Sequence, residues 1–93
     1  MSETNIIRQH MKISGSVQGV GFRYRAKYAA NSLGVTGWVR NEWDGTVELE
    51  VQGTLAQINK MLTLINQSPY IKIDGIDRKN IPTDTHDTGF HVR

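Results

Sequence analysis

Asp44-Gly-Thr-Val-Glu-Leu-Glu-Val-Gln-Gly-Thr-Leu-Ala-Gln57 joins a turn, a strand and a helix start in one short run. Asp44-Gly45 is a strong hairpin signal, because both residue types tolerate the left-handed backbone that a tight turn requires. Val47, Leu49 and Val51 then alternate with Thr46, Glu48, Glu50 and Gln52. Period two gives a strand with one dry face and one wet face. Thr54 with Gln57 forms a capping box, which starts a helix. Leu55, Ile58, Leu62 and Ile65 follow on one helical face, and Ser68-Pro69 ends it. Before the turn, Val35 to Asn41 reads as the hairpin's other strand.

Working outward, Ile7, Met11 and Ile13 alternate with Arg8, His10, Lys12 and Ser14, so Ile7 to Ser14 predicts a half-buried strand. Gln9 interrupts its apolar side. Gly15-Ser-Val-Gln-Gly-Val-Gly21 is too glycine-rich for regular structure and reads as a loop. Phe22, Ala26, Ala29, Ala30 and Leu33 recur at helical spacing, and Gly34 is a ready stop. Toward the end, Ile71 and Ile73 start a strand. Ile76 breaks their alternation after Asp74-Gly75, which predicts a bulge. Residues Asn80 to Asp87 are polar and loop-like, and Phe90 and Val92 form a last short strand. The β-α-β-β-α-β order predicts an α+β, ferredoxin-like sandwich: one domain over residues 1–93, an antiparallel sheet with two helices on one face. That fold by itself decides no function.

Composition narrows the classes. The 93 residues carry eleven basic and nine acidic side chains, a net charge of only +2. Such a field suits small anions and not a nucleic-acid partner. There is no cysteine, which excludes disulfides, thiolate metal sites and cysteine nucleophiles. Met1 to His10 has no leader-like apolar run and no stretch reaches membrane-spanning length, so the expectation is a cytoplasmic protein with no membrane partner.

The loop Gly15 to Gly21 leads from a strand into a helix N-terminus. Inward-pointing amides and the helix dipole there favour an anion. It is not a P-loop, because no Lys-Ser/Thr follows the glycines. Arg23 stands in the first helical turn, where an uncompensated cation costs roughly 0.3–1 kcal/mol. A bound phosphate would compensate it, and a planar guanidinium suits phosphate. The loop alone also fits a plain turn beside a surface arginine. Asn41 continues the face of Val35, Gly37 and Val39. It reads either as a turn residue or, if the fold brings it near Arg23, as part of a site.

Two long segments resemble the signatures of the acylphosphatases. They are Ile13-Ser-Gly-Ser-Val-Gln-Gly-Val-Gly-Phe-Arg23 and Gly37-Trp-Val-Arg-Asn-Glu-Trp-Asp-Gly-Thr-Val47, the latter running on to Gly53. The likeness extends to the closing Phe90-His-Val-Arg93. It implies the ferredoxin-like sandwich and hydrolysis of the carboxyl-phosphate bond of acyl phosphates by in-line attack of a water. It also implies that Arg23 binds phosphate and Asn41 orients the water. Ser16, Val17, Gln18, Gly19, Val20 and Gly21, with Phe22 and Arg23, would form the phosphate cradle.

An acyl phosphate has a carboxylate leaving group of low pKa, so no strong acid is needed to expel it. His10, His86 and His91 are scattered, and His10 reads as a solvated strand histidine. No His/Asp/Glu cluster has ligand spacing, so no metal and no cofactor is expected. Two other readings use the same features. An RNA-binding module shares the element order but stacks bases on sheet aromatics, which the acidic third strand lacks. A regulatory domain could bind phosphate without turnover. Trp38 and Trp43 flank Asn41 as entrance or packing residues. A monomer acting on a small molecule is expected, and nothing selects the acyl group.

Overall fold

The computed structural model describes residues 5–93. The first four residues, part of the leader reading above, lie outside the described residues. The first strand reaches further than its alternation suggests: β1 spans Ile6–Ser16. It is followed by α1 (Phe22–Leu33), β2 (Thr36–Asn41), β3 (Val47–Thr54), α2 (Leu55–Asn66), β4 (Lys72–Ile81) and β5 (Phe90–Val92). Gly15 and Ser16, expected in the loop, belong to β1 because the pairing with β4 continues past a bulge. Ser14 faces Gly75 and Gly15 faces Ile73, so Asp74 is the extra residue. Glycine is needed at position 15. Its φ is +129°, and a Cβ there would lie 2.1 Å from the Lys72 carbonyl oxygen. At its other end β4 includes Asn80 and Ile81, which the polar composition had assigned to the loop.

The sheet order is β4-β1-β3-β2-β5. β1–β3, β1–β4 and β2–β3 are antiparallel, but β2–β5 is parallel, so the sheet is not wholly antiparallel. Topology forces this. β4 runs against β2, and the chain reverses once more in crossing the sheet to β5. A parallel neighbour requires such a long crossover.

The core lies between the sheet and both helices. Met11 and Ile13 of β1, Val39 of β2, and Val47, Leu49 and Val51 of β3 are fully buried there. Ala26, Ala29 and Ala30 bring α1 close, while Ile58, Met61 and Ile65 fill the space under α2. The expected α2 stripe shifts: Leu55 is half exposed and Met61 points inward instead. Gln9, the interruption in β1, is also buried. Its amide donates to Asn80 Oδ1 (2.9 Å), and its oxygen accepts from Arg78 (2.8 Å). Among the described residues no helix is long and apolar enough to cross a membrane.

The face away from the helices is a web of ion pairs. Arg8 is buried between Glu50 (2.9 Å) and Asp87 (2.8 Å). Glu48 meets Arg40 (2.7 Å) and His10 (2.5 Å), and these two partners, His10 foremost, hold its carboxyl below the usual range. His10 is therefore paired and not simply solvated. Gln52 exchanges two hydrogen bonds with the backbone of Asp84, which docks the 82–89 crossover on this face.

The helix starts differ. α2 has the predicted capping box: Thr54 Oγ1 accepts from the Gln57 N–H (3.1 Å), and Gln57 Oε1 accepts from the Thr54 N–H (2.8 Å). The Gln57 amide also donates to the Leu33 carbonyl, tying α2 to the end of α1. Thr54→Ala should therefore lower unfolding free energy by about 1 kcal/mol, read as a lower urea midpoint at unchanged slope. Gln57→Ala should cost at least as much, since it also loses the bond to Leu33, and the double variant should cost less than the sum, because each of the two reciprocal bonds holds the geometry of the other. Full additivity in urea titrations would contradict the capping box as the source.

Candidate active site

Two strand ends meet across β3. Val47 pairs with Ile13 on one side and with Asn41 on the other. The chain leaving β1 and the chain ending β2 therefore emerge side by side. Gln18 ties them together: its amide donates to the carbonyl oxygens of Glu42 (2.6 Å) and Thr46 (2.8 Å). Those two residues also close the hairpin, through Glu42 N–H to Thr46 O at 2.8 Å. Inside the turn, Asp44 Oδ1 accepts from the Thr46 hydroxyl (2.6 Å) and N–H (3.1 Å). These bonds, with Lys12 at 3.2 Å, lower the Asp44 carboxyl to about 2. Val17 is buried and Val20 packs on the core edge, so the loop is anchored from below.

The loop ends where α1 begins. Gly21 is the N-cap, with φ +81°, and no side chain caps the helix. No acidic residue stands in the first turn. The first bond of this turn is Arg25 N–H to Gly21 O, 3.0 Å. The amides of Phe22, Arg23 and Tyr24 thus have no intrahelical acceptor, which makes this end an anion site in the geometric sense. An L-residue at 21 would carry the strain of positive φ, although a Cβ would meet nothing within 4 Å. Glycine is there for conformation and not for space.

A cavity of about 140 Å³ lies at this helix end, lined by Val17, Gly19, Gly21, Phe22, Arg23, Tyr24 and Asn41. The fold therefore brings Asn41 to Arg23, the condition on which its site reading depended. Asn41 does not serve the turn through its oxygen. Its Oδ1 is buried and, among the described residues, has no hydrogen-bond partner. Leaving such an atom unpaired costs roughly 1–3 kcal/mol. Arg23 is half-buried, and its Nη1 donates to the main-chain oxygen of Arg93 at 3.0 Å. Among the described residues no Asp or Glu side chain pairs with it.

Not every expected cradle residue lines the cavity. Ser16 is exposed at the end of β1, the Gln18 side chain serves the hairpin, and Val20 faces the core. Phe22 is buried and lines it from beneath. Two participants escaped the sequence reading. Tyr24 lines the cavity, and its only sequence signal was a place in the aromatic-basic run Phe22 to Arg25. Arg93 contributes a main-chain oxygen, for which sequence carries no signal. Trp43 is 97% exposed at the hairpin tip, away from any packing role.

A sequence model of the acylphosphatase family matches residues 9–92. An acylphosphatase of Clostridium perfringens is 41% identical over 86 residues, covering 91% of this chain and 97% of that one. One from Bordetella bronchiseptica is 48% identical over 69 residues, covering 74% and 73%. The structure of an acylphosphatase from Coxiella burnetii superposes over the full length of both chains, with a TM-score of 0.85 at 31% identity. The uncapped glycine loop, Arg23 and Asn41 therefore sit in a fold and a sequence shared with these proteins, and the chain belongs to the acylphosphatase family.

Proposed function

We propose that Arg23 and the free amides at the start of α1 hold the phosphoryl group of an acyl phosphate, and that Asn41 holds the water that attacks it. The reaction is the family's: the carboxyl-phosphate bond is cleaved to a carboxylate and inorganic phosphate. The observation that carries the residue roles is the orphaned Asn41 Oδ1, buried in the same cavity as Arg23. A buried acceptor without a donor is stable only if something donates to it. A water does so, and the bond orients one of its lone pairs toward the phosphorus.

The rest follows from charge. In phosphoryl transfer the protein positions groups and stabilises charge. Arg23 places a cation with no Asp or Glu partner at the positive end of a helix, so both fields converge on one anion. As the P–O bond breaks, negative charge moves onto the departing carboxylate and spreads over the phosphoryl oxygens. The guanidinium and amides are already aimed there, with no reorganisation. The carboxylate leaves without a proton, and the water's proton passes to a phosphate oxygen. A base-stacking role for the sheet has no support, since Glu48 and Glu50 line that face and two guanidinium groups lie over Trp38.

Among the described residues no three His, Cys, Asp or Glu side chains gather as metal ligands. Turnover of a chromogenic acyl phosphate should survive exhaustive chelation, and inorganic phosphate should inhibit competitively. Activity restored only by Mg²⁺ or Zn²⁺ would refute the first point, and noncompetitive phosphate inhibition the second.

Arg23→Ala should lower turnover by at least about 10²–10³ and weaken phosphate inhibition, as loss of one aimed donor does. Arg23→Lys should recover little, because an ammonium lacks the planar fork. Near-normal kinetics in the lysine variant would show that bulk charge suffices.

Asn41→Ala should behave differently. It removes contact with the nucleophile and leaves the anion site intact, so turnover should fall on the order of 10²-fold or more with phosphate inhibition little changed. Because it also deletes a buried oxygen without a partner, its melting temperature should hold or rise. Asn41→Asp should not restore activity, as it places a negative charge beside an anion. An Asn41→Ala variant with full turnover would remove the residue from the mechanism.

A further inference from the structure

The direction of the Arg23 side chain is set by a residue distant in sequence. Its Nη1 donates to the main-chain oxygen of Arg93 at 3.0 Å. Arg93 lies one residue beyond β5, and its own N–H donates to the Val39 carbonyl oxygen at 2.8 Å. Its guanidinium lies 4.6 Å from the centroid of the Trp38 ring. The Arg40 guanidinium also lies over that ring, at 5.1 Å, but Arg40 is engaged by Glu42 and Glu48, both at 2.7 Å. Among the described residues Arg93 has no ion pair, so the indole is the partner of its cation.

We propose that Trp38 is a positioning residue for phosphate binding: its indole anchors Arg93, and the main-chain oxygen of Arg93 aims the Arg23 guanidinium. The inference rests on the reading of Arg23 as the phosphate ligand. Ordering the side chain in advance removes that entropy loss from the binding step. β5 is only three residues long and pairs with β2 at Phe90, His91 and Val92, so position 93 depends on contacts beyond the ladder. The Trp38 stack supplies one.

The test compares Trp38→Ala, Trp38→Phe, Arg93→Ala and Arg23→Ala, measuring kcat, KM, inhibition by inorganic phosphate and melting temperature on each. Arg93→Ala keeps the main-chain oxygen and loses only the cation on the ring. Both Trp38→Ala and Arg93→Ala should raise the phosphate inhibition constant by roughly two- to fivefold, the scale of one exposed cation–π contact. The double variant should be no worse than either single one. Trp38→Phe should recover most of the loss because it keeps an aromatic face. In the Arg23→Ala background, Trp38→Ala should add nothing to the inhibition constant. A Trp38→Ala variant with lowered melting temperature but wild-type phosphate inhibition would overturn the proposal, as would effects that multiply in the double variant or persist without Arg23. If Arg23→Ala leaves phosphate inhibition unchanged, the reading of Arg23 itself fails and this inference with it. If Arg23→Ala weakens inhibition and Trp38→Ala does not, only the positioning role fails.

Discussion

Val47 pairs with Ile13 of β1 and with Asn41 of β2, and the geometry of the cavity depends on that double register. A strand has its side chains on alternate faces, so a slip of one residue on either side would turn a face inside out. On the β1 side, Met11 and Ile13 would leave the core; on the β2 side, Val39 would. The cost of exposing them fixes the register, and the register sets the loop after β1 beside the end of β2. The Gln18 amide then locks the pair through the carbonyls of Glu42 and Thr46. The cavity is thus a by-product of core packing, held at its rim by two hydrogen bonds.

Against that rigid frame, the cavity collects features that weaken a fold. α1 begins on Gly21 with no side-chain cap, whereas α2 has a complete capping box. Arg23 adds a cation at the positive end of the helix dipole. Asn41 buries an oxygen that nothing in the described protein satisfies. By ordinary scales the costs run from a few tenths of a kcal/mol for the glycine cap, through roughly 0.3–1 for the cation, to roughly 1–3 for the unpaired oxygen. On the function proposed above, all three are removed by one event, the binding of an anion in the loop with a water beside it. Elsewhere the chain follows the usual rules: even the buried Gln9 and Arg8 are fully engaged. Concentration of unmet valence in one cavity of about 140 Å³ is what separates a site from a flaw in packing.

The two faces of the sheet divide the labour. The helix-side face is a dry core. The other is a polar network of Arg8, Glu50, Asp87, Glu48, His10 and Arg40, closed by the crossover that carries the chain to β5. Through that crossover the chain reaches Val39 and Arg23 with its last residues. The open face therefore does more than meet solvent. It supports the strand whose neighbouring residue touches the Arg23 side chain.

Local sequence determined much of this protein. Period-two alternation marked β1 and β3, helical spacing marked α1, and Thr54 with Gln57 set the start of α2, because these signals act within a few residues and need no partner from afar. The two signature segments likewise named Arg23 and Asn41. Other features were settled only in three dimensions. Met61 displaced Leu55 from the core because the angle at which α2 lies on the sheet selects among near-equivalent apolar positions. Gly15 and Ser16 became strand because β4 was there to pair with them. The parallel β5, the paired state of His10, the presence of Tyr24 in the cavity and the Arg93 main-chain oxygen on Arg23 all join residues far apart in the chain. Sequence records which groups are available. Which carbonyl meets which guanidinium is fixed by the register and crossover of the sheet, and those minimise the free energy of the whole core at once, so no single segment encodes them.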